Sequence, residues 1–303
     1  MRVLAFVAFV ALASSSAANA QRVTDARDKV LISPEALVQR IKSGNVVLLH
    51  LGDRAQYDSA HIPGARYVTL QDVSLSGAAS PDGLTLQLPS PETLRARLAA
   101  LGVGDDSYVV VYYGRDWITP STRVMFTLDY AGLGDRSALL DGGMPRWVRE
   151  GHPVTAEVPE TRTGSLSTLK TRPLVADADW VRAHLGAKKV AIVDARDTVF
   201  YKGIRAGGRP PNEHRLGHIA GARSIFFATL FDSTNTLRPA TELSALFAAA
   251  GVQPGDTVVT YCHIGQQASA TLFAARTLGY PVLLYDGSFE DWSRRANFPV
   301  AKP

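Results

Sequence analysis

Cysteine is nearly absent from this 303-residue chain: there is one, Cys262. A lone thiol excludes an internal disulfide, so any stabilisation must come from packing. Long runs of one charge are also missing. The 32 lysines and arginines are scattered among 28 acidic residues, for a net charge of +4, which reads as mild anion attraction and excludes a nucleic-acid footprint. Beyond the N-terminus no stretch approaches 18 apolar residues, which leaves no bilayer-spanning candidate. Compositional bias is lacking too: 46 % hydrophobic and 20 % charged residues are values of an ordinary globular protein, and the length suits two domains.

What is present begins at the N-terminus. Arg2 precedes an apolar run from Val3 to Ala13, and small residues follow, ending in Ala18-Asn19-Ala20. This charge, core and A-x-A order predicts a secretory signal over residues 1–20, cleaved after Ala20. The expected location is exported, periplasmic in a bacterium and otherwise secreted, with no stable membrane anchor. An unpaired thiol in such an oxidising compartment invites a chemical explanation, the alternative being a buried cysteine acting as a small hydrophobe.

The chain repeats itself at domain scale. His61-Ile62-Pro63-Gly64-Ala65-Arg66 matches His218-Ile219-Ala220-Gly221-Ala222-Arg223. Leu140-Asp141-Gly142-Gly143 through Trp147 matches Tyr285-Asp286-Gly287-Ser288 through Trp292 at the same spacing. Short β-branched runs surround these anchors: Val46–Leu49, Tyr108–Tyr113 and Ser137–Leu140, then Val190–Val193, Thr257–Tyr261 and Val282–Tyr285. They read as buried strands. Helical patterns lie between them, one opened by Ser90-Pro91 and closed by Gly102 and its counterpart over Thr241 to Gly251.

Strands alternating with helices predict an α/β fold of two domains, each a mainly parallel sheet with helices on both faces. The expected limits are 28–155 and 174–303, joined by a polar linker over 156–173. In both halves the His-Ile-x-Gly-Ala segment reads as a turn whose glycine supplies a permissive backbone angle, so His61 and His218 are structural.

Chemistry concentrates where the halves differ. Setting Val109-Val110-Val111-Tyr112 against Val258-Val259-Thr260-Tyr261 puts Tyr113 opposite Cys262. Cys262 follows a buried strand directly, and His263-Ile264-Gly265-Gln266-Gln267 separates it from a helical stretch over Ala268 to Leu278. A compact loop at the carboxyl end of a parallel strand can turn several amides onto one atom. The following helix start adds positive potential, so a thiolate or persulfide is favoured and the thiol pKa is expected to fall. His263 either adds charge when protonated or is a plain loop histidine. Gln266 and Gln267 either donate to a bound anion or simply open the helix.

With these residues in view, the sequence resembles a tandem-domain rhodanese over nearly the whole mature chain, with Cys262 to Gln267 as its six-residue active loop. Asp194-Ala195-Arg196 at a strand end and Asp286-Gly287 through Trp292 add to the likeness. The resemblance implies a sulfurtransferase whose first domain is a degenerate partner, as Tyr113 suggests. It implies that Cys262 takes a sulfane sulfur from a small donor, thiosulfate or 3-mercaptopyruvate. The cysteine holds that sulfur as a persulfide and passes it to a nucleophilic acceptor such as cyanide or a thiol, without metal or organic cofactor.

The chain departs from the family in three places. Thiosulfate-using members usually carry basic residues after the cysteine, and mercaptopyruvate-using members Gly-Ser or Gly-Thr; here stand His263 and Ile264. Phe200 occupies the position before the aromatic Tyr201 where the family has a substrate-binding arginine. The insertion between Gly203 and Gly217 offers Arg205, Arg209 and Arg215, of which Arg209 is the candidate anion holder. Arg196 is expected to pair within the fold.

Two rivals differ in class. A cysteine phosphatase needs arginine six residues after its cysteine, and Ala268 stands there. A non-catalytic rhodanese-like binding or sulfur-sensing module is the other alternative, and the intact cysteine argues against it.

Overall fold

The computed structural model describes residues 21, 23–80, 82–115, 118–209 and 212–302. The expected signal segment lies outside them. The first half builds β1 (Leu31–Ile32), α1 (Pro34–Lys42), β2 (Val46–Leu51), α2 (Arg54–Ser59), β3 (Arg66–Tyr67), α3 (Pro91–Ala100), β4 (Tyr108–Tyr113), α4 (Ile118–Tyr130), β5 (Ser137–Leu140) and α5 (Gly143–Arg149). The second half opens with β6 (Val175–Ala176), α6 (Ala178–Ala183), β7 (Val190–Asp194), α7 (Thr198–Tyr201), a hairpin of β8 (Gly208–Arg209) and β9 (Asn212–Glu213), β10 (His218–Ile219) and β11 (Arg223–Ser224). It closes with α8 (Ala240–Ala249), β12 (Thr257–Tyr261), α9 (Gln266–Thr277), β13 (Val282–Tyr285), α10 (Ser288–Arg294) and β14 (Val300–Ala301).

Each half forms a five-stranded sheet, β1-β5-β4-β2-β3 and β6-β13-β12-β7-β11. Every pairing in both is parallel. The strand order is therefore the same twice, and the sequence repeat is a repeat of topology. Val109, Val110, Val111, Val258 and Val259 are fully buried, which is why these strands read as unbroken apolar runs: helices cover both faces. Helix starts follow their caps. Ser33 accepts from Ala36 N ahead of Pro34, and Ser90 accepts from Thr93 N ahead of Pro91.

The repeated histidine turns are structural in both halves. Ile62 N donates to Tyr112 Oη and Ile219 N to Tyr261 Oη, each at 3.1 Å. His61 stacks on Tyr57 and His218 on Tyr201, each with Nδ1 2.8 Å from the carbonyl of its stacking partner.

Helices α4 and α9 face each other across the boundary between the halves. Thr122 and Ser269 hydroxyls are 2.9 Å apart there, and Val124, Phe126, Leu272 and Phe273 join one continuous apolar core. A shared core of this kind fixes the two sheets relative to each other. Residues 156–174 carry no helix or strand and run along the first half, where Gly164 N donates to Ala99 O and Leu166 is buried.

Candidate active site

β12 is the middle strand of its sheet, so Cys262 leaves it at the carboxyl end, between the ends of β7 and β13. Gly265 then turns the chain with φ +82° and caps α9. Only glycine fits this turn. A Cβ there would lie 2.9 Å from Arg123 Nη1 and 3.1 Å from Asp286 O, in a backbone region that side chains disfavour.

Burial pushes the Cys262 thiol up, while the amides of Ala268, Ile264, Gln267 and Gly265 hydrogen-bond the sulfur and pull the other way. Burial wins, and the thiol lies above its ordinary value. This corrects the expectation that the loop lowers it. The main-chain dipoles are aimed as anticipated, but the thiol is fully buried, and dehydrating its anion outweighs them.

A floor holds the loop from below. Ser288, at φ +52°, accepts from Cys262 N at 3.2 Å and donates to Tyr285 O at 3.0 Å. Phe289 N and Glu290 N donate to the carbonyls of Cys262 and His263, each at 3.0 Å. Beside the floor, Asp194 takes three hydrogen bonds from the Arg196 side chain, at 2.6–3.1 Å, and one from Tyr261 Oη at 2.7 Å. Arg196 also donates to Gly217 O and lies 4.1 Å over the Phe289 ring, so it pairs within the fold as expected.

The first half reaches into this site. Arg123, fully buried on α4, makes a 2.6 Å ion pair with Asp286 and donates to Leu86 O. Asp286 accepts from Leu88 N, and Glu290 accepts from Thr85 N. A cleft of about 480 Å³ opens beside the loop, bounded by Ile264 and Gln266 on one side and Gly52, Tyr67, Thr69 and Thr85 on the other.

The remaining loop side chains divide. Gln266 opens α9 and donates to Thr119 Oγ1 at 2.9 Å, tying the loop to the first half. Gln267 Oε1 is buried without a partner. His263 is neither a cation nor a plain surface residue: it packs edge-on to Phe200 at 4.5 Å, and burial, with Arg196 and His214 nearby, pushes it down to about 3. It is therefore neutral, and of the two readings open in the sequence neither describes it: it adds no charge to the loop, and it is packed rather than free. Arg209 lies exposed on β8, two residues beyond Gly207, whose backbone abuts the His263 ring.

The rhodanese-like domain family matches the sequence twice, over residues 33–150 and 177–295. This chain belongs to the rhodanese family. It is 30 % identical to thiosulfate sulfurtransferase of Azotobacter vinelandii over 274 residues, covering 89 % of this chain and 96 % of that one. It is also 30 % identical to thiosulfate/3-mercaptopyruvate sulfurtransferase 2 of Arabidopsis thaliana, over 81 % of this chain and 76 % of the relative. Both are sulfurtransferases, and that is the class of this chain. The crystal structure of YnjE superposes with a TM-score of 0.79 at 26 % identity, over 91 % of this chain and 68 % of that one.

In this rhodanese, sequence reasoning missed Ser288, Arg123 and His214. Ser288 had a signal: it stands at the one place where the repeated Asp-Gly-x motifs differ, opposite Gly143. Arg123 had none, because nothing local says that its side chain will cross to the other sheet.

Proposed function

We propose that this chain moves a sulfane sulfur from thiosulfate or 3-mercaptopyruvate through a Cys262 persulfide to cyanide or a thiol. The observation that carries this reading is the convergence of four main-chain amides on one sulfur at the end of a central strand. With thiosulfate, the Cys262 thiolate attacks the outer sulfur, the new S–S bond forms, and sulfite leaves with the old bonding pair. Cyanide then takes the outer sulfur as thiocyanate and the thiolate returns. The amide ring meets negative charge at the sulfur in both steps, as an oxyanion hole does at oxygen. Arg209, exposed on β8, is the proposed secondary anion contact, and an Arg209→Ala enzyme should show a raised donor KM.

The Arg2-led apolar segment ending at Ala20 supports export as part of the same proposal. Among the described residues no helix is long and apolar enough to cross a membrane. N-terminal sequencing of protein from the native cell should begin at Gln21.

Incubation with either donor plus cyanide should yield thiocyanate, and intact-mass analysis after donor alone should show one added sulfur, both lost in Cys262→Ser. A protein that gains no sulfur from either donor is instead the non-catalytic binding module.

A further inference from the structure

The cleft of about 480 Å³ beside the reactive loop is walled by both halves of the chain. Ile264 joins it to the chemistry: its amide bonds the Cys262 sulfur, and the same residue forms part of the cleft wall. A volume of this order suits an organic molecule. Cyanide and thiosulfate are too small to fill it.

The hydrogen bonds of the wall select the ligand. The Tyr67 hydroxyl donates to Gly52 O at 3.1 Å, Thr69 Oγ1 to Asp72 at 2.8 Å and Thr85 Oγ1 to Glu290 at 3.3 Å. The main-chain amides of Thr69, Thr85 and Leu86 are committed as well, to Asp72, Glu290 and Ser76 Oγ. A hydroxyl has one hydrogen, so these three side chains retain only oxygen lone pairs, and the wall accepts hydrogen bonds rather than giving them. Charge agrees. Among the described residues lining the cleft, Asp53 is the one charged side chain, and it is exposed. Two arginines close by are occupied: Arg54, 5.2 Å over the Tyr67 ring, pairs with Asp58, and Arg97 donates to the carbonyls of Gln71 and Ser74. Such a wall repels a small anion and matches an ammonium group.

We propose that this cleft holds the ammonium end of a small aminothiol, which is the sulfur acceptor. The proposal rests on Cys262 being the sulfur carrier and names the class of acceptor it serves. The acceptor thiolate attacks the outer sulfur of the Cys262 persulfide. A new S–S bond forms, the old one breaks, and Cys262 leaves as thiolate with the bonding pair. The persulfide hydrogen stays on the transferred sulfur, so the product is the aminothiol persulfide.

The test uses protein loaded with sulfur, freed of donor and mixed with cysteamine, 2-mercaptoethanol or thioglycolate as cationic, neutral and anionic thiols. Loss of the added sulfur is followed by intact mass. Half-saturation should come at the lowest concentration with cysteamine and the highest with thioglycolate, about tenfold apart. Asp53→Asn removes the charge and keeps the α2 cap, where Asp53 accepts from Gln56 N. Gln71→Lys puts a cation on the exposed edge of the cleft. Each variant should shrink the gap about fivefold. A level or reversed order in the wild type, or a gap unchanged in both variants, overturns the aminothiol site. A wild-type protein that takes up no sulfur strikes the carrier reading instead. The cleft is then read by ligand-observed NMR with ethanolamine and glycolate, which lack the thiol: ethanolamine alone should bind, and equal behaviour of the two overturns the site.

Discussion

Cys262 sits under two opposed influences, burial raising its pKa and four amides lowering it, with burial ahead. The thiolate fraction of such a group grows with pH later than that of free cysteine, at about 8.5. The first half-reaction with thiosulfate should therefore still be accelerating where a free thiol has levelled off; a stopped-flow profile flat above pH about 8 contradicts this. Gly265 carries a different constraint. Gly265→Ala must hold φ +82° and place a methyl 2.9 Å from Arg123 Nη1. The backbone angle alone costs about 1–2 kcal/mol. Urea unfolding should show that loss, and sulfuration should slow as the amide ring opens.

At the scale of elements, the two strand-end turns are the same device used for opposite ends. Gly143 and Ser288 occupy equivalent places after β5 and β13, with φ +51° and +52°. Ser288 supplies the oxygen that receives Cys262 N; at Gly143 a Cβ would lie 2.7 Å from the Tyr113 ring, so glycine makes room for the residue that replaces the thiol. One half has a reactive sulfur on a hydroxyl floor, the other an aromatic plug whose hydroxyl donates to Asn235 O at 2.8 Å. Ser288→Ala leaves the buried Cys262 amide without its acceptor, a loss of about 1–3 kcal/mol. Denaturant midpoints should fall accordingly, and amide exchange at Cys262 should quicken relative to the rest of β12.

At the scale of the molecule, the half without a thiol is part of the site. Arg123 crosses from α4 to pair with Asp286 above Gly265, and removing one member of a buried ion pair typically costs about 3–5 kcal/mol. Arg123→Met should lower both stability and the sulfuration rate, although it lies in the domain that carries no cysteine. Acid should act on the molecule as well. His50 and His214 are pushed down to about 4 and His263 to about 3, in each case mainly by burial. Unfolded histidine takes its proton at about 6.5, so between that pH and about 4 the unfolded chain binds more protons than the folded one. Stability should decline steadily as pH falls through this window; urea midpoints constant from pH about 7 to about 4 speak against buried neutral histidines.

The sequence by itself determined the doubled α/β architecture, because β-branched runs, serine caps and paired turn motifs are local signals, and each recurs in the same order in both halves. It also placed Cys262 at a strand end before a helix, since that depends only on neighbours in the chain. Tertiary structure decided the rest. How far burial raises the thiol, that His263 is neutral, and that Arg123 and His214 stand beside a loop distant in sequence all depend on packing between segments. Local periodicity carries no information about dehydration or about which side chains meet across two sheets.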